Sequence, residues 1–269
     1  LLGECLDSIA QTVDHEDCEI FVVDNSLGDP GLAELKHHHP KINFTENAEN
    51  TGFAKANNQG AKLAQGRFLL FLNPDTKLTP GALRVLTDHL LTHTTTGIAA
   101  PKVLNADGSL QYSCRRFPTL WTALFNRYSL LTRLFPGNRF TRNYLLLDYD
   151  HQQPREVDWV SGCCMMIPKQ VFFEIGMFDE RFFLFNEDVD LCQSAKAKGY
   201  TVMYLPTAAI VHHISSSNKK LPSALIIRRH MGMSRYYRKH KAGSCIPPLV
   251  VDFFILLRCL SQILFNTLK

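Results

Sequence analysis

The feature that most restricts this chain is the regular exchange of short apolar runs with amphipathic stretches over its first hundred residues. Residues 19–23 (EIFVV) and 67–72 (RFLLFL) are apolar with little alternation, as strands covered on both faces are. Residues 41–45 and 98–100 add two strand candidates. Between them, residues 1–12 put Leu2, Cys5, Leu6 and Ile9 on one helical face. Residues 31–38 and 54–64 also read as helices, and Thr79-Pro80 predicts a capped helix over 80–93. Strands alternating with helices predict an α/β fold with a parallel, doubly wound sheet and helices on both faces. Ligands of such sheets bind outside the carboxyl ends of the strands. Two acidic turns, Asp24-Asn25-Ser26 and Asn73-Pro74-Asp75-Thr76, fall at such ends.

Residues 105–155 are rich in arginine and aromatics and lack a clear period, which predicts loops and short helices forming a lid or acceptor region. Residues 157–167 (VDWVSGCCMMI) read as one apolar strand containing Ser161-Gly162, followed by a helix over 168–175. Asn186 is the expected N-cap of a helix running to Lys198 and stopped by Gly199, with Glu187, Asp188 and Asp190 in its first turn. Two short strands are expected over 200–205 and 209–212.

A length of 269 residues allows one large domain or two small ones. With 45% apolar and 20% charged residues, disorder, collagen and coiled coil are excluded. None of the eight cysteines forms a C-x-x-C pair, which argues against a zinc ribbon or thioredoxin site. Several sit in apolar runs, as reduced buried thiols of a cytoplasmic protein would. The net charge of +4 is unevenly spread: between Asp190 and Asp252 there are ten Lys and Arg and no acid. That stretch is either a solvated face or a partner surface for anions. Tyr236 and Tyr237 lie within it, but no nucleic-acid recognition motif accompanies them. Residues 247–268 are very apolar, yet Asp252 and Arg258 interrupt them. The unbroken run 253–257 is far short of the roughly 20 residues of a spanning helix. A membrane-surface helix and a helix packed on the core both fit.

Four groups of residues carry potential chemistry. Asp75, in a tight turn after a strand, is either a ligand for Mg²⁺ or Mn²⁺ shared with substrate phosphates or a simple turn residue. Glu187 and Asp188 either cap a helix or supply a general base. The helix N-terminus favours their charged forms and crowding opposes it, and the sequence leaves the balance open. His212-His213 ends a strand and could ligate a metal, touch a phosphate or serve structure. Asn50-Thr51-Gly52-Phe53 opens a helix whose backbone N–H groups could meet a phosphate.

Taken in order, VVDNS (22–26), ENTGFAKANNQGAKLAQG (49–66), FLNPDT (71–76), PKVLNADGSLQYSCRRFPT (101–119), the segment 157–192 and VHH (211–213) resemble the inverting family 2 glycosyltransferases of the GT-A fold. More narrowly they resemble the bacterial rhamnosyltransferase-like branch that builds O-antigen and cell-wall glycans. The resemblance implies a Rossmann-like, mostly parallel sheet over residues 1–215, and the basic stretch followed by the apolar tail predicts a membrane-associated helical extension over 216–269. It implies that Asp24 contacts the nucleotide base or ribose and that Gly52 and Asn58 line the nucleotide pocket. Asn73-Pro74-Asp75 stands where the family has D-x-D, so Asn73 would border the nucleotide sugar and Asp75 would hold the metal. His212 would complete the metal or diphosphate site, and Trp159 and Gly162 would lie near the donor sugar or acceptor. Asp188, beside Glu187, would be the catalytic base. The implied donor is a nucleoside-diphosphate sugar, dTDP-L-rhamnose, with a lipid-linked or growing glycan as acceptor. For such an enzyme the basic stretch and apolar tail predict peripheral attachment to the cytoplasmic face of the bacterial plasma membrane.

One feature departs from the family pattern. The family opens with a strand of the type V-S-I-V-I-x-x-Y-N ahead of the helix that starts here at Leu1, and this sequence does not contain it. Two neighbouring strands are then expected to lack a partner. Two other readings compete: an inactive nucleotide- or glycan-binding relative, and a sugar-phosphate nucleotidyltransferase. The second needs a G-x-G-T-R motif that is absent from the sequence.

Overall fold

A computed structural model describes residues 1–13, 18–119, 121–122, 125, 130–213, 222–240 and 246–267. Helix α1 (Leu2–Thr12) is followed by β1 (Phe21–Asp24), α2 (Gly31–His38), β2 (Asn43–Glu46), α3 (Gly52–Leu63) and β3 (Phe68–Leu72). Next come β4 (Thr76–Leu78), α4 (Ala82–Thr92) and the long β5 (Thr96–Leu104). The middle is made of short pieces, as its weak periodicity predicts: β6 (Leu110–Gln111), β7 (Cys114–Arg115), α5 (Leu130–Leu134), α6 (Arg139–Tyr144), β8 (Arg155–Glu156) and β9 (Trp159–Val160). Then follow β10 (Cys164–Pro168), α7 (Lys169–Glu174), α8 (Glu187–Ala197), β11 (Thr201–His212), α9 (Ser223–His240) and α10 (Pro248–Thr267).

The main sheet has the order β3-β10-β5-β11-β4, with β6 on β5 and β8 on β11. It is mixed rather than mostly parallel. Strand β11 runs parallel to β5, but β10 runs antiparallel to both β3 and β5, and β11 antiparallel to β4. Strands β3 and β5, each antiparallel to β10, therefore run the same way, as the early alternation predicts. Strand β10 enters between them from the irregular middle rather than through a crossover helix, so nothing forces it to be parallel. The expected strand over 157–167 is two strands in two sheets, because β9 pairs with β7 while β10 joins the main sheet. Conversely, β11 is one strand with a register shift between Leu205 and Ala209, where two strands were expected. Thr79 does not cap α4: Gly81, at φ 79°, precedes the helix, and the Thr79 hydroxyl donates to the Ala209 carbonyl at 2.8 Å.

The central strands are apolar on both faces because both faces are covered. On β10, Met165 and Ile167 face one core with Phe172, Phe178 and Leu191, while Met166 faces the other with Leu86 and Leu90 of α4. On β5, Ile98 and Ala100 face the first core and Ala99 the second. Burying side chains of this size contributes about 1.5–3 kcal/mol each. Cys5, Cys114, Cys163, Cys164, Cys192 and Cys259 are buried thiols, none in a disulfide.

Strands β1 and β2 form a separate parallel pair. All residues of β1 and of β3 line one cavity of about 1260 Å³ between them. Leu2, Leu6 and Ile9 of α1 and Leu83 of α4 also line it, as do Ala56 and Gly60 of α3. Among the described residues, β1 pairs only with β2 and β3 only with β10.

Helix α9 packs on α8, and α10 packs on α9. The basic stretch is therefore not a uniformly open positive face. Lys239 pairs with Asp179 at 3.1 Å and Asp190 at 2.8 Å, His240 meets Asp190 at 2.7 Å, and Arg238 pairs with Asp252. Lys219, Lys220 and Lys241 lie outside the described residues.

Candidate active site

The turn before α8 positions the acidic pair. Phe185 and Asn186 have φ of 70° and 71°, in the left-handed region. Such a conformation costs a non-glycine residue roughly 1–3 kcal/mol and persists only where the surroundings enforce it. Here the enforcement comes from two sides. The Phe53 N–H donates to the Phe183 carbonyl at 2.8 Å, and Gly52 packs so tightly there that a Cβ would lie 2.4 Å from the same oxygen. From α9, the Arg228 guanidinium sits 3.5 Å from the centre of the Phe183 ring, and Asn186 donates its amide to the Arg229 carbonyl at 3.3 Å. Asn186 thus precedes the helix as expected, but its side chain reaches across to α9 instead of capping.

Asp188 is held by two backbone donors. The Gly162 N–H reaches one carboxylate oxygen at 3.1 Å, and the Val189 N–H reaches the other at 2.9 Å. Burial raises the Asp188 carboxyl above the ordinary range, against the pull of these N–H groups and of the Arg115 charge. Glu187 is buried, its Oε2 has no hydrogen-bond partner, and burial together with the Asp188 charge raises it too. The sequence left the helix N-terminus balanced against crowding; in the structure burial, with crowding by Asp188 added at Glu187, raises both carboxyls.

Asp75 and His212 form the second half. His212 Nε2 lies 3.1 Å from an Asp75 carboxylate oxygen, and the His213 N–H donates to the Asp75 carbonyl at 2.8 Å. A chain of hydrogen bonds fixes the imidazole. Asn105 donates to Ser109, Gln111 donates to Asn105 at 3.0 Å, and Gln111 Oε1 thereby faces His212 Nδ1 at 2.8 Å. A neutral His212 then carries its proton on Nδ1, and its Nε2 lone pair points at a carboxylate oxygen. Two lone pairs that close call for a cation or a proton between them, so the pair fits a divalent ion whose remaining ligands are phosphates and water. No group of three or more His, Cys, Asp or Glu side chains suited to a metal occurs among the described residues.

A single backbone segment joins the two halves. Gly162 N–H holds Asp188, and the next residue, Cys163, accepts the Asn73 N–H at 2.9 Å and so fixes the Asn73-Pro74-Asp75 turn. Asp24, whose carboxylate accepts the Ser26 N–H at 2.9 Å, lines the cavity between β1 and β3 together with Asn25 and Asn73.

Three expected contacts are placed otherwise. Asn58 is 1% exposed and both its amide donors are used, on the Phe178 carbonyl and on Glu180, so it ties α3 to that loop and does not line a pocket. Trp159 is in the core, its indole N–H on the Arg116 carbonyl at 2.8 Å and its ring under Arg115. The first N–H groups of α3 are spent within the protein: Thr51 on Asn25, Gly52 on Asn50 and Phe53 on Phe183. Gly52 therefore serves close packing, not a phosphate cradle. Arg115 and Gln111, both near the site, carry no pattern that single-residue reasoning detects; they lie in the matching segment 101–119.

The sequence profile of glycosyl transferase family 2 matches residues 1–175. An N-acetylglucosaminyl-diphospho-decaprenol L-rhamnosyltransferase of Mycobacterium tuberculosis is 25% identical over 241 residues, 86% of this chain and 78% of that protein. A dTDP-rhamnosyl transferase, RfbF, of Shigella flexneri is 24% identical over 88% of this chain and 73% of that one. Among solved structures, a mannosyltransferase from Pyrobaculum calidifontis in complex with GDP-Man and Mn²⁺ superposes with a TM-score of 0.59 at 16% identity, covering 100% of this chain and 71% of that one. GalNAc-T7 with UDP, GalNAc and Mn²⁺ gives 0.61 at 15% identity, over 93% of this chain and 50% of that one. The chain belongs to glycosyl transferase family 2 and is a glycosyltransferase of the GT-A fold.

Proposed function

We propose that this chain transfers L-rhamnose from dTDP-L-rhamnose to a hydroxyl of a lipid-linked or growing cell-surface glycan, with inversion, at the cytoplasmic face of a bacterial plasma membrane. The donor and acceptor classes are supported by the names of two relatives, one a dTDP-rhamnosyl transferase and the other acting on a decaprenol-linked acceptor. The mechanism is supported above all by the Gly162-Cys163 backbone, which holds Asp188 on one side and the Asp75 turn on the other.

Asp188 is the general base. Its raised carboxyl takes the acceptor's hydroxyl proton as that oxygen bonds to the anomeric carbon. The bond from that carbon to the diphosphate breaks in the same displacement, and the nucleoside diphosphate leaves with the electron pair. Asp75 and His212 would hold Mg²⁺ or Mn²⁺, which would supply Lewis-acid stabilisation to the leaving diphosphate. Asp24 and Asn73 border the nucleotide sugar, and Gly162 orients the base through its N–H. Glu187, buried beside Asp188, is raised by burial and by the charge of that neighbour and is not itself the base.

The test is nucleotide release and glycan product from dTDP-L-rhamnose and a polyprenyl-diphosphate sugar, with and without Mn²⁺. Asp188→Asn is expected to lower transfer about 10²–10⁴-fold and to leave metal-dependent dTDP binding intact. Normal transfer by that variant overturns the base assignment. Metal-dependent dTDP binding without transfer favours the inactive-relative reading.

A further inference from the structure

Helix α10 is amphipathic the wrong way round for a soluble domain. Its two charged side chains face α9: Asp252 accepts from Ser234 at 2.5 Å and pairs with Arg238, and Arg258 is lowered by burial and by the Arg229 charge. Gln262 and Asn266, four residues apart, continue that inner row, and both are half-buried. The outer face carries Leu249, Phe253, Leu256, Leu257, Leu260 and Leu264, each between 47% and 77% exposed. Spacings of three, four and seven put these side chains in one stripe along the whole 20-residue helix, about 30 Å. Exposed patches that continuous are rare on soluble monomers and mark an interaction surface.

We propose that the outer stripe of α10 lies in the interfacial layer of a lipid bilayer, parallel to its plane, and docks the enzyme there. Two observations select lipid. The stripe is apolar along its length and offers a partner protein few groups for directional contacts. Of the six Arg and Lys on α9 and α10, Arg238 and Lys239 are paired with acids and Arg258 is buried, while Arg228 and Arg235, on the Phe183 and Phe182 rings, add positive charge that suits anionic headgroups. The helix is long and apolar enough to cross a membrane by composition. Crossing would strip Asp252 of Ser234 and Arg238 and put the Arg258 charge in hydrocarbon, or draw the charges of α9 in with them, which is costly. The inner row therefore keeps α10 in the plane of the surface. Helix α9 packs in turn against the Phe183–Asn186 turn, so the docked surface is continuous with the support of the acidic pair.

The inference deepens the lipid-linked-acceptor reading and rests on it only for purpose. The test is co-sedimentation of the full chain with vesicles of phosphatidylcholine, with and without phosphatidylglycerol, against Leu256→Gln/Leu260→Gln. Both sites are solvent-facing, so the fold is retained, and metal-dependent dTDP binding monitors it. Wild type is expected to pellet with both vesicle types, more strongly with the anionic one, and to be released by alkaline carbonate. The double variant is expected to partition at least about tenfold less, as loss of apolar contact of this size implies. Absence of wild-type binding, or equal binding by the variant, overturns docking. Resistance to carbonate overturns the in-plane arrangement. A dimer that the variant dissociates, without vesicle binding, assigns the stripe to a second copy instead. Docking without transfer counts against the proposed function alone, and transfer to a soluble acceptor without docking counts against this inference alone.

Discussion

At the scale of residues, Glu187 and Asp188 are neighbours with different surroundings. Asp188 has two N–H donors, whereas Glu187 keeps a buried oxygen without a partner. A carboxyl raised in the folded state and ordinary in the unfolded one lowers stability as pH climbs from about 4.5 towards the folded value. Glu187→Gln is therefore expected to stabilise the fold by about 1–3 kcal/mol, with the gain small at pH 5 and larger at pH 8. Melting temperatures at the two pH values check it, and an equal or negative shift at pH 8 contradicts it. The raised Asp188 also predicts that transfer fades on acidification at a pH above the ordinary carboxylate range. Gln111 is expected to matter through His212. Gln111→Ala releases the imidazole tautomer and should weaken Mn²⁺ binding about 10–100-fold, read by calorimetry in the presence of dTDP. The acids and His212 were legible from their places at strand and helix ends. Gln111 and Arg115 were not, because a polar side chain declares its role only through the partner the fold brings to it.

At the scale of elements, the seams between helices matter more than the helices. Helix α3 meets the turn before α8 through Gly52, where φ is 81° and a Cβ would strike the Phe183 carbonyl. Gly52→Ala is expected to cost about 1–3 kcal/mol or more, seen as a lower denaturation midpoint, and to reduce transfer with it because the same turn carries Glu187 and Asp188. Helix positions were readable from periodicity: α2 and α8 fall where expected, and Gly199 ends α8. Caps and strand directions were not. The Thr79 hydroxyl found a β11 carbonyl, and β10 slid in antiparallel between β3 and β5. Both outcomes depend on elements more than sixty residues away, beyond what a local window contains.

At the scale of the whole molecule, the division of the sheet sets how stability is distributed. The β5–β11 ladder is long, central and covered on both faces. The β1–β2 pair is four residues long, half-buried at best and separated from β3 by the cavity. Native-state hydrogen exchange is expected to open the β1–β2 amides at much lower free energy than those of β5 and β11. Equal protection in the two ladders contradicts a divided sheet. Because Asp24 ends β1, donor binding should slow exchange in that pair first.

The six buried thiols have a consequence for following the protein in solution. Burial raises Cys5, Cys114, Cys163, Cys164, Cys192 and Cys259 and keeps them as thiols, whereas a thiol reagent attacks the thiolate. The rate at which such a reagent labels these six positions is then a clock for opening of the core.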